Sequence, residues 1–279
     1  MQTTFVSGLS PAGIHRLAVH LWGEGGSTRP PVICVHGLLR NGRDFDELAQ
    51  ALSETRPVAC PDVVGRGRSE WLRDPSHYGL PQYLQDMMSV LSLVGDGPVD
   101  WVGTSMGGLI GMLLAAQPGG PIRRLILNDV GPFVSAEALT QIASLVGDPV
   151  FPDRVALCES LSEALADWGD VPAGALDRLT EFGGRRRPDG TWGRSYDPAI
   201  AVPMANPATE DVDLWPLWQA ISCPVLVVRG ERSQVLTADT AGGMAERPGV
   251  EVIEIAGCGH APSLMLHDQI QHVRSWLDD

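Results

Sequence analysis

A serine framed by glycines is the feature of the chain best suited to carry chemistry. The segment 99–108 reads VDWVGTSMGG, which places Ser105 between Gly103 and Gly107 in the spacing G-x-S-x-G. An apolar strand pattern precedes this serine, and an apolar helix pattern follows it. Because the turn between strand and helix must be sharp, a Cβ at either glycine would clash. The segment therefore predicts a nucleophilic serine raised above the edge of a sheet.

Two backbone amides are expected beside this serine. The segment 32–39, VICVHGLL, is an apolar strand pattern that ends at His36-Gly37, so the N–H of Leu38 would lie at the same sheet edge. The N–H of Met106 stands at the start of the helix that follows the serine, where N–H groups have no helical partner. Together they would form an oxyanion hole for a tetrahedral intermediate. His36 itself is interpreted as a structural residue that holds the loop.

A general base is expected near the end of the chain. His260 lies in a glycine-framed loop, GCGHAP at 257–262, directly after an apolar strand pattern. A histidine at the C-terminal edge of the sheet could take the proton of the serine hydroxyl. Four other histidines are expected to face solvent, namely His15, His20, His267 and His272.

The elements that must position these residues alternate between buried strands and helices. Apolar runs predict strands at 32–36, 58–64, 99–103, 125–129, 225–229 and 250–255, and a more alternating run predicts an antiparallel edge strand at 16–22. Apolar residues at helical spacing predict helices at 44–54, 81–94, 106–117 and 262–277. This alternation is typical of an α/β protein with a mostly parallel sheet.

The alternation breaks between Pro132 and Ser222. This stretch has helical patterns at 136–145, 154–168 and 173–181, no convincing strand, and a loop rich in Gly, Arg and Pro at 183–193. We interpret residues 132–222 as a helical lid inserted into a core formed by residues 1–131 and 223–279. The tryptophans of the lid favour an apolar or aromatic substrate.

Composition excludes several classes of function. The chain has 279 residues and a formal net charge of −14, and its 20 basic residues are all arginine. The acidic charge disfavours nucleic acid as a partner, and without lysine neither a Schiff base nor a P-loop can form. The cysteines are scattered and no cluster has metal-ligand spacing, so neither a metal nor a cofactor is expected. The absence of a signal-peptide pattern and of a membrane-length apolar stretch predicts a cytoplasmic protein without membrane contact.

Four segments together resemble the α/β-hydrolase superfamily: His36-Gly37, the run DVVGRGRS at 62–69, the serine turn, and Gly259-His260. The similarity covers nearly the whole chain and is greatest to compact esterase-like and C–C-hydrolase-like members with a helical lid. It implies an eight-stranded, mostly parallel sheet with the lid inserted after the sixth strand. It also implies a catalytic triad in the chain order serine, acid, histidine.

The acid of this triad is the point at which the chain departs from the family pattern. The resemblance implies an aspartate on the loop after the seventh strand, where the sequence has Ser233 and Gln234, with Glu231 nearby. Some family members carry the acid at the end of the sixth strand, where this chain has Asp129. We predict Asp129 as the acid, with Glu231, or no carboxylate at all, as alternatives.

The sequence thus predicts a serine hydrolase that cleaves a carboxylic ester, or a related acyl bond, of a small and apolar substrate. Ser105 would attack the carbonyl group, and His260 would take and return the proton. One alternative is hydrolysis of a C–C bond in a ring-cleavage diketone, which related proteins perform with the same residues. Another is a degenerate homologue that only binds a small ligand, because Gln234 replaces the expected acid. The sequence leaves the oligomeric state open.

Overall fold

The protein is built around one eight-stranded sheet. A computed structural model describes residues 1–23, 27–206 and 209–279. The strands are β1 (Gln2–Ser10), β2 (Gly13–Trp22), β3 (Val32–Val35), β4 (Val58–Pro61), β5 (Val99–Thr104), β6 (Ile122–Asn128), β7 (Val225–Gly230) and β8 (Val250–Ile255). Their order is β1-β2-β4-β3-β5-β6-β7-β8. The pairs β1–β2 and β2–β4 are antiparallel and the others are parallel, which confirms the predicted α/β class and its mostly parallel sheet.

Helices cover both faces of the sheet. They are α1 (Asp46–Leu52), α2 (Leu80–Val94), α3 (Met106–Ala115), α4 (Ala136–Ser144), α5 (Arg154–Ala164), α6 (Ala175–Gly183), α7 (Trp215–Ala220), α8 (Ala238–Ala245) and α9 (His267–Asp278). Short 3-10 helices lie at Gly42–Phe45, Pro75–His77, Ala166–Trp168 and Pro198–Met204. Within the ranges described above, no helix combines the length and the apolar character needed to cross a membrane. The last helix starts five residues later than predicted, because Leu264 has a positive φ of 56° that no α-helix accommodates.

The parallel strands are buried on both sides, as their apolar sequences require. On β5, Trp101 enters the core formed with α2 and α3, whereas Val102 enters the core formed with α1 and α9. Because consecutive side chains of a strand point to opposite faces, a continuous apolar run fills two cores at once. The C-terminal ends of β3, β5, β6, β7 and β8 therefore meet at one edge of a rigid sheet.

The N-terminal hairpin differs from the sequence prediction. The predicted edge strand at 16–22 is the second strand of the sheet. The edge strand is β1, which was not predicted because it contains no apolar run. Side chains of β1 alternate between exposed and half-buried over most of its length. The strand pairs with β2 through its backbone along all nine of its residues, so it needs few apolar side chains.

Two of the four histidines predicted to face solvent are buried. His15 Nε2 lies 3.0 Å from an oxygen of Asp86, and His20 Nε2 lies 3.2 Å from an oxygen of Asp62. Each imidazole thus contacts a carboxylate from a segment more than forty positions away in the chain. Burial of a polar side chain costs little free energy when the side chain has such a partner. His267 and His272 are exposed, as predicted.

The segment between β6 and β7 contains short strands, so the expectation of no strand there is wrong. Phe133–Val134 pairs with Val212–Asp213, and Gly184–Arg186 pairs with Trp192–Arg194. The loop predicted at 183–193 is therefore a hairpin. Its turn is fixed by Asp189, whose carboxylate accepts hydrogen bonds from the Thr191 backbone and hydroxyl. The division into a core and a lid at 132–222 stays a prediction.

Candidate active site

Ser105 lies at a sharp turn between β5 and α3. Its backbone has a φ of 51° and a ψ of −115°, a conformation that is rare for a residue with a side chain. A Cβ at Gly103 would collide with the backbone of Gly107, and one at Gly107 would collide with the backbone of Val35. The two glycines are therefore required by close backbone contacts, and the turn presents the serine hydroxyl at the C-terminal edge of the sheet.

His260 lies within hydrogen-bond distance of this serine. Its Nε2 atom is 2.9 Å from Ser105 Oγ, although the two residues are 155 positions apart. The loop that carries His260 follows β8, and Asn128 on β6 holds it by donating a hydrogen bond to the Pro262 carbonyl oxygen. The imidazole is 26% exposed, so it can reach both the serine and solvent at the sheet edge.

Asp129 is the carboxylate that meets this histidine. Its Oδ2 atom lies 2.7 Å from His260 Nδ1, and its side chain is fully buried. Glu231 is exposed and accepts a hydrogen bond from the Gly257 backbone N–H instead. Gln234 is also exposed, and its amide donates to the Arg232 carbonyl oxygen. Of the two predicted carboxylates, only Asp129 contacts His260.

Ser233 is a residue of the site to which the sequence assigned no function. Its hydroxyl donates a 2.6 Å hydrogen bond to Asp129 Oδ2, and the Gly230 N–H donates to Oδ1 at 2.9 Å. The hydroxyl of Ser233 also accepts from the N–H groups of Val235 and Leu236, so it fixes its own loop. Its position in the chain could have indicated this contact. Ser233 lies on the loop where the family pattern has the acid, and it contacts Asp129, the carboxylate that follows β6.

The chain segments that carry the two predicted backbone amides lie beside the serine. Met106 directly follows Ser105 as the first residue of α3, where its N–H has no acceptor within the helix. A Cβ built on Gly37 would lie 3.8 Å from the Ser105 Cβ, so the chain leading to Leu38 runs beside the serine. Arg66 is fully buried and donates from Nε to the Leu38 carbonyl oxygen at 2.9 Å, which holds this loop in place.

His36 stands beneath the loop of Leu38 and does not face the serine. Its Nε2 atom accepts a 3.0 Å hydrogen bond from the Val63 N–H, and its Nδ1 atom contacts the Gly37 carbonyl oxygen at 2.7 Å. Burial lowers the pKa of His36 from its ordinary value to about 4. A neutral ring can donate from one nitrogen and accept at the other, as these two contacts require.

The burial of His36 predicts a loss of stability in mild acid. In the unfolded chain His36 takes up a proton near pH 6.5, whereas in the folded protein it does so only near pH 4. The stability gained from the neutral ring is therefore complete above pH 6.5 and is lost as the pH falls toward 4. We expect this residue to lower the free energy of unfolding by about 2 kcal/mol between pH 7 and pH 5.

Urea unfolding at the two pH values measures this effect in the unchanged protein and in His36→Gln, with the exposed His272→Gln as the matched control. The His36 variant should lose this part of the pH dependence, and the control should keep it. An NMR titration of the His36 ring gives the same test without a mutation. A ring that titrates near pH 6.5 would contradict the prediction.

A cavity of about 550 Å³ opens in front of Ser105 and His260. The C-terminal edge of the sheet forms one wall, and the segment between β6 and β7 forms the other with mostly apolar side chains, among them Ile142, Leu145, Leu161, Leu165, Trp168 and Tyr196. In the parts of the chain for which the structure gives positions, no group of three or more His, Cys, Asp or Glu side chains is placed to hold a metal ion.

Comparison with known proteins identifies the family of this fold. Residues 30–264 match the family model described as alpha/beta hydrolase fold. The chain belongs to the α/β-hydrolase family. This α/β hydrolase is 41% identical over 281 aligned positions to a 3-hydroxybutyrate-oligomer hydrolase from Cupriavidus necator, with 95% of this chain and 94% of the relative covered.

Two solved structures show the same similarity over the whole chain. A Rickettsia typhi protein superposes with a TM-score of 0.92 at 32% identity, covering 100% of this α/β hydrolase and 99% of that chain. An alpha/beta hydrolase from Novosphingobium aromaticivorans superposes with a TM-score of 0.87 at 37% identity, covering 99% and 98%. The predicted superfamily is confirmed, and the relatives support hydrolysis of ester or acyl bonds at a general level.

Proposed function

We propose that this protein hydrolyses a carboxylic ester through an acyl-enzyme intermediate. The observation that carries the proposal is one continuous chain of hydrogen bonds at the sheet edge. It runs from Ser105 Oγ to His260 Nε2 over 2.9 Å, and from His260 Nδ1 to Asp129 Oδ2 over 2.7 Å. A nucleophile, a base and a group that orients the base are the arrangement that acyl transfer requires.

We assign a residue to each step of the reaction. Ser105 Oγ attacks the ester carbonyl carbon while His260 Nε2 takes its proton. The negative oxygen of the tetrahedral intermediate accepts hydrogen bonds from the N–H groups of Leu38 and Met106. The bond to the alcohol oxygen then breaks, and His260 returns the proton to the departing alcohol. Water attacks the acyl-enzyme with His260 again as base, which releases the acid and restores Ser105.

Asp129 is proposed to hold His260 in the correct tautomer and to stabilise the imidazolium. Three donors surround its carboxylate, namely the Gly230 N–H, the Ser233 hydroxyl and the His260 Nδ1–H. Such donors stabilise the ionised carboxylate in a buried place, where a charge without hydrogen bonds would be costly. Ser233 is therefore proposed as a positioning residue that acts through Asp129.

The proposed substrate is a short ester oligomer of a small hydroxy acid. The Cupriavidus necator relative is a hydrolase of 3-hydroxybutyrate oligomers and matches 95% of this chain at 41% identity, which favours a substrate of the same class. The cavity of about 550 Å³ lies within the size range of small-molecule sites. Its largely apolar walls suit the methyl and methylene groups of such an oligomer.

The contact between Asp129 and His260 weakens the hypothesis of a non-catalytic homologue. That hypothesis depended on Gln234 in place of an acid, and His260 instead has a carboxylate from β6. Hydrolysis of C–C bonds uses the same residues and is tested by comparing substrates. We expect turnover of a nitrophenyl ester and none of a dienoate diketone, and the opposite pattern would replace our proposal.

A fluorophosphonate probe tests the proposal in the unchanged protein, because the reaction needs an activated serine. We expect one equivalent of probe on Ser105, found by mass spectrometry, together with complete loss of nitrophenyl butyrate hydrolysis. Ser275→Ala, which removes an exposed serine of α9, should label like the unchanged protein. Labelling at a different residue, or none at all, would overturn the assignment of Ser105 as nucleophile.

A further inference from the structure

Two arginines line the cavity that contains the proposed nucleophile. Arg40 follows β3, and Arg194 ends the hairpin strand Trp192–Arg194 in the segment between β6 and β7. The rest of the cavity wall is mostly apolar, so two charged side chains there are unexpected unless they have partners. The proposed acyl transfer does not use either of them.

Arg40 already has an anionic partner. Its Nε and one terminal nitrogen donate to the two carboxylate oxygens of Asp44 at 2.9 and 2.6 Å. Its guanidinium also stacks on the Trp168 ring, 5.1 Å from the ring centroid. A bidentate pair of this kind neutralises most of the charge of Arg40 locally.

Among the residues that the structure describes, Arg194 has no such partner. One of its terminal nitrogens donates to the Ser160 carbonyl oxygen at 3.1 Å and to the Ser160 hydroxyl at 2.9 Å, both neutral acceptors. Within residues 1–23, 27–206 and 209–279, no carboxylate lies within 4.0 Å of its guanidinium. Glu163, the one acidic residue among the described cavity lining, is exposed and forms no ion pair with Arg194.

The surroundings of Arg194 make its charge unfavourable without a counter-ion. Its side chain is half-buried, and the Phe151 ring, whose centroid lies 5.5 Å from the guanidinium carbon, gives the charge a weak cation–π contact but no counter-ion. Burial, followed by the positive charge of Arg40, lowers the pKa of Arg194. An arginine still keeps its proton at neutral pH, so Arg194 brings an uncompensated positive charge to its part of the cavity wall. A carboxylate held in the cavity would remove this cost, because its two oxygens match the planar guanidinium.

We propose that Arg194 binds a carboxylate group of the substrate. The enzyme then acts on esters that carry a free acid, such as the carboxyl end of a hydroxy-acid oligomer, in preference to the same esters with that acid capped. This inference rests on the proposed function, since it names a substrate feature that the same site recognises. Arg40 is not needed for this contact, because Asp44 is its own partner.

A matched pair of substrates and a matched pair of variants test this role. The substrates are the linear dimer of 3-hydroxybutyrate with a free carboxylate and its methyl ester. Arg194→Gln removes the charge but keeps a polar side chain, and Arg186→Gln removes an exposed arginine of the same hairpin that does not line the cavity. The unchanged protein should prefer the free acid.

We expect Arg194→Gln to lower kcat/KM for the free-acid dimer by about 10- to 100-fold, as loss of a charged hydrogen bond predicts. Its kcat/KM for the methyl ester should change by less than about threefold, and Arg186→Gln should leave both values unchanged. Equal losses on the two substrates would mean that Arg194 only braces the hairpin against Ser160. No preference for the free acid in the unchanged protein would also overturn the proposal.

Binding to the Ser105→Ala protein separates this inference from the proposed function. Calorimetry should show tighter binding of the free-acid dimer than of its methyl ester, and the added Arg194→Gln change should abolish the difference. Equal affinities would refute the carboxylate site whatever the catalytic result. If the affinities differ as expected but the unchanged protein hydrolyses neither dimer nor nitrophenyl butyrate, the proposed function fails while the carboxylate site stands.

Discussion

Replacing Ser105 with alanine is expected to lower kcat for ester hydrolysis by about a million-fold. The remaining rate is the rate that substrate binding and oxyanion stabilisation provide without a nucleophile. The alanine has no atom that can bond to the substrate carbonyl carbon, and His260 then has no hydroxyl to deprotonate. Initial rates with nitrophenyl butyrate and with the 3-hydroxybutyrate dimer measure the loss. Ser275→Ala, an exposed change on α9, is the control and should keep full activity.

The fold should survive this change. Alanine has the same Cβ as serine, so the positive φ at position 105 costs the same in both proteins. Within the described part of the chain, the lost hydroxyl has one hydrogen-bond partner, the partly exposed imidazole of His260, and we expect the melting temperature to move by no more than a few degrees. Activity above about one per cent of the original, in a protein with an unchanged melting temperature, would mean that another residue is the nucleophile.

Replacing Asp129 with asparagine is expected to lower kcat by about 10⁴-fold. The carboxylate accepts from three donors, and an amide has only one oxygen to receive them. If that oxygen stays on the Gly230 N–H, the NH₂ group faces His260 Nδ1 and forces the ring proton onto Nε2. His260 then cannot accept the proton of Ser105. The asparagine also lacks the negative charge that stabilises an imidazolium.

Two variants at neighbouring positions serve as controls for this prediction. Glu231→Gln should leave kcat unchanged within about twofold, since Glu231 is exposed and bonded to the Gly257 N–H. Ser233→Ala should lower kcat by about tenfold at most, because it removes one of three donors and leaves the contact with His260 intact. A loss smaller than about tenfold in Asp129→Asn, or a large loss in Glu231→Gln, would reject Asp129 as the acid.

Patterns within a few residues of one another predicted much of the protein. Gly103 and Gly107 were predicted to be required, and each lies where a Cβ would collide with backbone. Such collisions depend on a tight turn, which the spacing G-x-S-x-G specifies by itself. The parallel strands could also be predicted from the sequence, because a strand that is buried on both faces has a continuous run of apolar residues. The alternation of these runs with helical patterns indicated the α/β class.

Features that depend on pairing between distant segments were missed. The edge strand β1 is stabilised by backbone hydrogen bonds to β2. Every residue type can form such bonds, so the pattern of apolar side chains does not indicate this strand. His15 and His20 are buried because Asp86 and Asp62 reach them from other elements. The hairpin that carries Arg194 was predicted as a loop, since the segment 183–193 contains Gly, Pro and Asp, which are depleted in strands.

The sequence by itself determined the fold class, the serine turn and the histidine loop, because each follows from local sterics or from the burial of a continuous segment. Only the tertiary structure decided which carboxylate contacts His260. Asp129 and Glu231 directly follow adjacent strands at the same sheet edge, and the choice between them depends on where each side chain points. In the structure Asp129 is buried and contacts Ser233, whereas Glu231 lies in solvent. The same is true of Arg194, which enters the cavity wall only when the hairpin folds over the sheet edge.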